Sequence, residues 1–412
     1  MTVDDNAGES GTADEAPRRT LGVWFVGARG AIATTVAYGL EAVASGLRGP
    51  IGLVSELPEF AGLGLASLDS IVVGGWEVRP GTIARAAADL AANGVLPQDV
   101  VAKSAAVGVD ARTAPGIARK DDPSASPASR ERGELPLREQ VRVLGEDLAA
   151  FAGSTGVDTV VVVNVASTEA VVATPECASD LAALERALDA DEKLPQSVIY
   201  AYAALRAGCP HVNFTPSPGA SWPALRELAR EMSLPHCGDD GKTGETLVKT
   251  TLAPMFAHRA LKVRAWQGYN MLGNRDGETL SDPANKGAKL RTKDAALRSI
   301  LGDPKDLHTH VGIDFVPSLH DWKTAWDFVH FEGFLGARMS LQFTWSGSDS
   351  ALAAPLVIDL VRFTELAKRR GESGELAHLA SFFKSPLSGG SHDFHVQFAA
   401  LVDYARRATT GS

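Results

Sequence analysis

The chain has 412 residues, a formal net charge of −10, 45% hydrophobic residues and 22% charged residues. This length allows two domains, or one large domain with an insertion, with a full hydrophobic core. The acidic balance argues against a general nucleic-acid surface and no apolar run approaches the roughly 18 residues of a membrane span, so no nucleic acid and no membrane are expected as partners.

The chain begins with a polar, acidic stretch, residues 1–20, which lacks the basic and then apolar order of a secretory signal and is predicted to be a disordered tail. Residues 21–26 form the first predicted strand, and a helix is predicted to end at about Ala44. The glycine turn between them would bring backbone N–H groups close to a pyrophosphate. Its Gly-x-x-Gly-x-x-Ala spacing differs from the usual Gly-x-Gly-x-x-Gly, so a purely structural turn explains it equally well.

The second clear strand is predicted at residues 158–164, whose run of valines is typical of a parallel strand buried on both faces. Ser167 and Thr168 follow this strand, where they would contact a cofactor, although a helix cap explains them equally well. Residues 113–136 are rich in Ala, Pro, Ser and charge and are predicted to form a long mobile loop. Helices are predicted at residues 180–190 and 197–208.

The pattern changes in the middle third of the chain, where strands are predicted at residues 261–271 and 311–317. This mixture of strands and helices differs from the alternation of strands and helices before it. It predicts a second domain over about residues 247–347.

The three cysteines are odd in number and form no CxxC pair. This usage is typical of reduced thiols in a cytoplasm, so we expect a cytoplasmic protein. A cysteine metal site would need more ligands at closer spacing, and no metal is expected.

Lys289 and Lys293 lie four residues apart in a stretch of helix-forming residues, 288–301, so their ammonium groups would share one face. From the spacing alone, a solvated lysine face is the simplest interpretation. The functional alternative is a site for phosphate or for a developing enolate, since both need concentrated positive charge. A lysine whose pKa is lowered by burial and by other cations can also exchange protons.

Several segments, in order, resemble the motifs of one known enzyme family. Residues 288–293 resemble its Ser-Lys-x-x-Ser-Lys, residues 321–323 its Gly-Asp-Ser-Lys and residues 383–386 its Lys-Ala-Pro. Residues 74–77 resemble Gly-Gly-Trp-Asp, and residues 349–355 resemble Asp-Ser-Leu-Leu-Ala-Ala-Pro. The segments Gly-Asp-Asp-Gly-Lys-Thr-Gly-Glu-Thr (238–246) and Tyr-Asn-Met-Leu-Gly-Asn-Arg-Asp-Gly (269–277) complete the set. Together these segments resemble the myo-inositol-phosphate synthase family.

The resemblance implies an α/β fold, a Rossmann-like doubly wound parallel sheet with an inserted α+β catalytic and oligomerisation domain. The NAD-binding domain would span residues 21–246, the inserted domain residues 247–347, and residues 348–412 would return to the first domain. A homotetramer is expected.

The resemblance also implies three sets of site residues. The expected catalytic residues are Lys289, Lys293, Lys323, Lys384, Asp240, Asp276 and Asp321. Contacts to NAD are expected from Gly27, Ala28, Arg29, Gly30, Ala31, Glu77, Ser167, Thr168, Asp240, Asp349 and Ser350. Contacts to a hexose 6-phosphate are expected from Thr243, Gly244, Glu245, Thr246, Asn274 and Leu280.

The reaction implied is the NAD-dependent cyclisation of D-glucose 6-phosphate to 1D-myo-inositol 3-phosphate. A related cyclase that forms a five-membered ring from fructose 6-phosphate, an ordinary dehydrogenase and an NAD-binding regulatory protein are the alternatives. The sequence departs from the family pattern at Glu77 in place of Asp, Glu245 in place of Gln and Met271 in place of His, and residues 344–348 replace a His-Asn-x-x-Glu stretch. These changes bear on the shape of the sugar pocket.

Overall fold

A seven-stranded parallel sheet organises most of the molecule. The computed structural model describes residues 19–104, 108–170, 173–273, 296–302 and 304–410. The strands of this sheet are β1 Leu21–Val26, β2 Ile71–Glu77, β3 Thr113–Pro115, β4 Thr159–Asn164, β5 His211–Asn213, β6 Pro235–Cys237 and β11 Gly374–Glu375. Their order in space is β11-β6-β5-β4-β1-β2-β3. The strand order therefore reverses between β1 and β4, as in doubly wound α/β folds.

Helices cover both faces of this sheet. They are α1 Ala31–Ala44, α2 Ile83–Ala92, α3 Gln98–Lys103, α4 Pro127–Gly133, α5 Leu137–Thr155, α6 Leu181–Asp189, α7 Gln196–Arg206 and α8 Pro223–Glu231, with α10 Asp349–Arg369 and α11 Phe394–Thr410 later in the chain. Between them, α9 Gly244–His258 packs on a second sheet. Val161 and Val163 of β4 face the core formed with α1, α10 and α11, whereas Val160 and Val162 face the core formed with α5, α7 and α8. The continuous valine run is thus explained by burial on both faces.

A second sheet follows α9. It has four strands, β7 Lys262–Leu272, β8 His308–Phe315, β9 Trp322–Glu332 and β10 Arg338–Ser348, in the order β10-β9-β7-β8. One face packs against Ala253 and Phe256 of α9 through Trp266 and Val329. The opposite face is not covered within the described chain, and Tyr269 and Trp326 are 42% and 37% exposed there.

The C-terminal part of the chain packs on the first sheet. Helix α10 contacts α1, and β11 pairs with β6. Asp359 of α10 accepts hydrogen bonds from the backbone N–H groups of Val54 (2.8 Å) and Ser55 (3.0 Å), about 300 positions earlier. These contacts bring the start of α10 to the edge of the first sheet where β1 and β4 end.

The structure confirms most of the predicted elements and corrects one. The long mobile loop predicted at residues 113–136 is wrong, since this stretch contains β3 and α4. Strand β3 is short but pairs in parallel with β2, and α4 begins with Ser126 as its cap and Pro127 in its first turn. Tertiary pairing overrides the loop-like composition here. Among the described helices, all are too short or too polar to span a bilayer.

Two buried histidines lie side by side on the first sheet. His211 of β5 pairs with His236 of β6, and both are fully buried. Within the described chain, neither ring nitrogen of either residue has a hydrogen-bond partner. Burial lowers the pKa of His211 to about 3 and that of His236 to about 4. Both rings are therefore held neutral in the folded protein.

We predict that this pair makes the fold sensitive to acid. As the pH falls below about 6.5, the unfolded chain binds protons on these histidines and the folded chain does not, so each histidine costs about 1.4 kcal/mol of stability per pH unit until its folded pKa is reached. Replacing both with leucine should flatten the fall in the free energy of unfolding between pH 6.5 and pH 4.5, measured by urea denaturation. An unchanged pH dependence would contradict this assignment, whatever the variant's stability at neutral pH.

Candidate active site

The main cavity lies where the two sheets meet and has a volume of about 520 Å³. The carboxyl ends of β1, β4, β5 and β6 supply one wall through the loops that follow them. The ends of β7 and β8, the start of β9 and the start of α10 supply the other. Ligands in open α/β sheets bind outside the carboxyl ends of the strands at the point where the strand order reverses, which is the place of this cavity.

The glycine turn after β1 forms one end of the cavity. Gly27 has a φ of +95°, and a Cβ at this position would lie 3.4 Å from the Cα of Ala166. The Gly30 N–H donates to the Gly27 carbonyl at 3.0 Å, and Gly30 then caps α1. Within the described chain this helix start has no side-chain cap and no acidic residue in its first turn. Its free N–H groups and positive dipole end suit an anionic group in the cavity.

Glu77, at the end of β2, holds this turn from behind. Its carboxylate accepts hydrogen bonds from the backbone N–H groups of Arg29 at 2.9 Å, Val78 at 3.0 Å and Arg79 at 3.0 Å. The side chain is 2% exposed and also pairs with the Arg79 guanidinium at 3.3 Å. The geometry therefore gives Glu77 an anchoring contact with the turn.

The loop after β4 presents Ser167 and Thr168 to the cavity. The next residue, Glu169, fixes this loop to the start of α7, because its carboxylate accepts the Ser197 N–H at 3.0 Å and the Ser197 hydroxyl. The Glu169 N–H donates to the Ser217 hydroxyl at 3.0 Å. The loop that carries Ser167 and Thr168 is thus held in place by the contacts of Glu169 with Ser197 and Ser217.

Lys384 and Asp240 form a close ion pair, with 2.8 Å between Nζ and Oδ1. Their backbones are also joined, since the Lys384 N–H donates to the Asp240 carbonyl at 2.7 Å. Asp240 has a φ of +60°, and its N–H donates to the Thr215 carbonyl at 3.0 Å. Segments from β5, β6 and the C-terminal region are therefore tied together at this ion pair.

Lys323 enters the cavity from the start of β9. Its Nζ lies 3.9 Å from Oδ1 of Asp349, which also accepts a hydrogen bond from the Thr243 hydroxyl at 3.3 Å. A Cβ placed on Gly244, whose φ is +51°, would lie 3.7 Å from the same Nζ. Lys323 is thus adjacent to the start of α9, where a phosphate would find backbone N–H groups.

Asp321 lies two residues before Lys323 and orders the start of α10. It accepts hydrogen bonds from the Ser348 hydroxyl at 2.6 Å and from the Ser350 hydroxyl at 2.9 Å. Burial raises the pKa of this carboxyl, although the two serine hydrogen bonds oppose the shift. Asp321 therefore joins β9 to the helix that carries Asp349.

The predicted site residues fall into three groups. The cavity is lined by Gly27, Arg29, Gly30, Ala31, Ser167, Thr168, Asp240, Thr243, Asp321, Lys323, Asp349, Ser350 and Lys384. It is not lined by Ala28, Glu77, Gly244, Glu245 or Thr246. Outside the described residues lie Asn274, Asp276, Leu280, Lys289 and Lys293.

Some lining residues escaped the sequence analysis. Thr215 follows β5, and the rule that pointed to Ser167 and Thr168 after β4 would have found it. His320 lies in the turn before β9, and Asn93 follows α2. The Asn93 carbonyl accepts a hydrogen bond from the Trp322 indole at 2.8 Å, a contact between the two sheets that no local pattern signals. Among the described residues, no group of three or more His, Cys, Asp or Glu is arranged to hold a metal ion.

Comparisons with known proteins agree with this architecture. The family model for myo-inositol-1-phosphate synthase matches residues 21–406. An inositol-3-phosphate synthase 1 from Bacteroides thetaiotaomicron is 34% identical over 92% of this chain and 91% of its own length, and isozyme 1 from Arabidopsis thaliana is 30% identical over 84% of this chain and 67% of its own.

Solved structures share the fold. The inositol-3-phosphate synthase of Caenorhabditis elegans superposes with a TM-score of 0.85 at 21% identity, covering 95% of this chain and 86% of that one. A myo-inositol-1-phosphate synthase-related protein from Thermotoga maritima gives 0.76 at 24% identity, covering 94% and 99%. With the family model matching nearly the whole described chain, the protein belongs to the myo-inositol-1-phosphate synthase family and is an enzyme of the intramolecular isomerase type, a sugar-phosphate cyclase.

Proposed function

We propose that this enzyme uses NAD to convert D-glucose 6-phosphate to 1D-myo-inositol 3-phosphate. The observation that carries the proposal is that Lys323 and Lys384, each beside a carboxylate, line the same cavity as the glycine turn after β1. A cofactor at the turn and a sugar phosphate at the lysines would then lie in contact. Family membership and the inositol-3-phosphate synthase names of the relatives support this choice of substrate and product.

The residues present fit NAD. The uncapped start of α1 suits the pyrophosphate, and Gly27 leaves room where a side chain would approach Ala166. Ser167 and Thr168 on one side and Asp349 and Ser350 on the other supply hydroxyl and carboxylate groups for the ribose and nicotinamide. When bound, NAD+ would take a hydride from C5 of the sugar and later give it back.

The chain's own residues would supply charge and proton transfer. Oxidation at C5 acidifies the C6–H bond, and the resulting enolate attacks the C1 aldehyde to close the ring. Lys323 and Lys384 would stabilise the enolate and aldol oxyanions, because ammonium groups aimed at developing negative charge lower the barrier. We assign Lys289 to proton transfer at the C5 oxygen and Lys293 to the phosphate and the C1 oxygen.

The phosphate would bind at the start of α9. Thr243 offers a hydroxyl there, and the helix contributes N–H groups and its positive dipole end. Asn274, Asp276 and Leu280 would complete the sugar site. Glu77 would act on NAD through the turn that it anchors.

We also propose an inserted domain and a homotetramer. Residues 247–347 include the whole second sheet except the last residue of β10, whereas residues 348–412 pack mainly on the first sheet. The uncovered face of the second sheet presents Tyr269 stacked on Trp326 and Trp326 stacked on Phe328. Aromatic side chains that lie in a row on an exposed sheet face are typical of a subunit interface.

Replacing Gly30 with valine should weaken NAD+ binding by about tenfold or more while the fold persists. The backbone of Gly30 is extended and tolerates valine, but the new Cβ would lie 3.1 Å from the Gly27 carbonyl and its methyl groups would enter the pyrophosphate position. Gly39→Val in the same helix is the control, because a Cβ there meets nothing within 4 Å. Calorimetry that gives equal NAD+ affinity for both variants would make the turn purely structural.

The purified enzyme should turn over glucose 6-phosphate many times per NAD+ without a lasting rise in NADH absorbance, because the hydride is returned. NMR of the product should show a six-membered carbocycle bearing one phosphate. Stoichiometric NADH would indicate a dehydrogenase, and a five-membered ring formed only from fructose 6-phosphate would reject the proposed substrate.

Lys323→Met should lose about a hundredfold in turnover, as loss of a charge-stabilising group typically does.

Sedimentation should report a tetramer for the wild-type protein and a smaller species for Trp326→Glu. The new carboxylate would be buried and unpaired in a subunit interface, which is strongly unfavourable. Ile51→Glu is the control, since Ile51 is an exposed apolar residue away from the second sheet, 96% exposed. A monomeric wild-type protein, or equal masses for all three proteins, would contradict this assembly.

A further inference from the structure

A buried charged cluster lies beside the cavity without lining it. Lys249 of α9 pairs with Glu245, one helical turn earlier, and its Nζ lies 3.3 Å from Oδ1 of Asp327 on β9. The three residues are 5%, 1% and 0% exposed, respectively. The Trp266 indole N–H donates to the same Asp327 oxygen at 2.8 Å.

The cluster joins the two segments that present groups to the substrate site. Glu245 follows Thr243 by two residues at the start of α9. Asp327 follows Lys323 by four residues on β9, and Lys323, Ala325 and Asp327 alternate on the buried face of that strand. Fixing Glu245 and Lys249 against Asp327 therefore fixes the start of α9 against Lys323.

The fit around the cluster is tight. A Cβ on Gly268 of β7 would lie 2.5 Å from Oε1 of Glu245, 2.7 Å from Nζ of Lys249 and 3.0 Å from Oδ1 of Asp327. A side chain at this position would displace the charged ends of all three residues. A displacement of α9 along the sheet would break these contacts together.

Stability alone does not account for this arrangement. Buried ion pairs are often no more stabilising than apolar residues of similar size, because desolvation offsets the attraction. Here two carboxylates and an ammonium group are buried together, and Oδ2 of Asp327 has no hydrogen-bond partner among the described residues. Burying three charged side chains is a costly way to fill a core.

We propose that Glu245, Lys249 and Asp327 are positioning residues, which hold the first turn of α9 against β9 so that Thr243 binds the phosphate of the same substrate molecule whose oxyanions Lys323 stabilises. The inference rests on the proposed function, because it takes the start of α9 to be the phosphate site and Lys323 to be a group that stabilises the oxyanions. Glu245 then acts through the position of the helix and not by touching the sugar.

The second carboxylate also gives the cluster a distinctive response to pH. Burial raises the pKa of Asp327 to about 6, with Lys249 opposing the shift and Glu245 adding to it. Among the described residues, the titratable groups that act on Asp327 are Glu245 and Lys249 from α9, while β7 contributes the Trp266 N–H. Protonation of Asp327 below this pH removes one partner of Lys249 and loosens the contact between α9 and β9.

Glu245→Gln removes the added negative charge and should move the acid limb of kcat to lower pH.

The main test removes all charge from the cluster while keeping its shape, in the variant Glu245→Gln, Lys249→Met, Asp327→Asn. The matched control is Arg132→Met with Asp147→Asn, a partly buried ion pair that also receives a tryptophan N–H, from Trp76 at 2.8 Å, but lies away from the cavity. Stability is measured by thermal unfolding, turnover from the cyclic product, and glucose 6-phosphate and NAD+ affinities by calorimetry.

We expect the cluster variant to fold, to bind NAD+ as the wild type does, and to lose about tenfold or more in glucose 6-phosphate affinity and in kcat, whereas the control keeps both. Unchanged affinity and kcat in the folded cluster variant, or an acid limb that Glu245→Gln leaves in place, would overturn the inference. A wild-type protein that binds glucose 6-phosphate without cyclising it would refute the proposed function alone, because the difference in affinity between wild type and cluster variant still decides the positioning role.

Discussion

The ion pair between Lys384 and Asp240 is the contact on which the shape of the cavity depends most. It joins the loop after β6 to the C-terminal region, 144 positions away, and a backbone hydrogen bond links the same two residues. Asp240 is held in turn by the carbonyl of Thr215 after β5. One cation thus reaches the cavity only because three separate parts of the chain are assembled correctly.

The second sheet contributes Lys323, whose position also depends on contacts between separate parts of the chain. Lys323 comes from the start of β9, and Asp321, two residues earlier, binds the serines at the start of α10. Helix α10 is fixed to the first sheet through Asp359 and the backbone of Val54 and Ser55. The position of Lys323 relative to the glycine turn therefore depends on α10, which contacts both parts of the molecule.

Local sequence patterns are sufficient to predict those elements that only certain residue types can form. The valines of β4 and the glycine turn before α1 were identified correctly because a doubly buried strand and a tight turn each demand particular residue types. The strand β3 was missed because three residues carry no periodicity, and its pairing with β2 creates the strand. Short strands of this kind are determined by tertiary contacts that the local sequence does not encode.

The residues of the candidate site also divide into those that the sequence predicts and those that only the fold brings together. Family motifs predicted Lys323, Lys384 and their neighbouring carboxylates, and the cavity brings these together. They gave no sign of Lys249 or Asp327, because a lysine in a helix and an aspartate in a strand are usually solvated and only the fold places them in contact. Glu245 illustrates the limit most clearly. Its place in the motif indicates the sugar site, whereas its carboxylate lies in the core.

The pairing of each lysine with a carboxylate bears on how an acidic protein attracts a phosphate ester. Among the described lining residues, the cations are Arg29, Arg79, Lys323 and Lys384 and the carboxylates are Asp240, Asp321 and Asp349, so cations are concentrated at the cavity although the chain has a net charge of −10. A free lysine loses about 2 kcal/mol of rotamer freedom when it is ordered by a ligand. Because Asp240 and Asp349 already restrain the two lysines, that cost is largely met when the protein folds, and more of the binding energy remains for the charges that develop during the reaction.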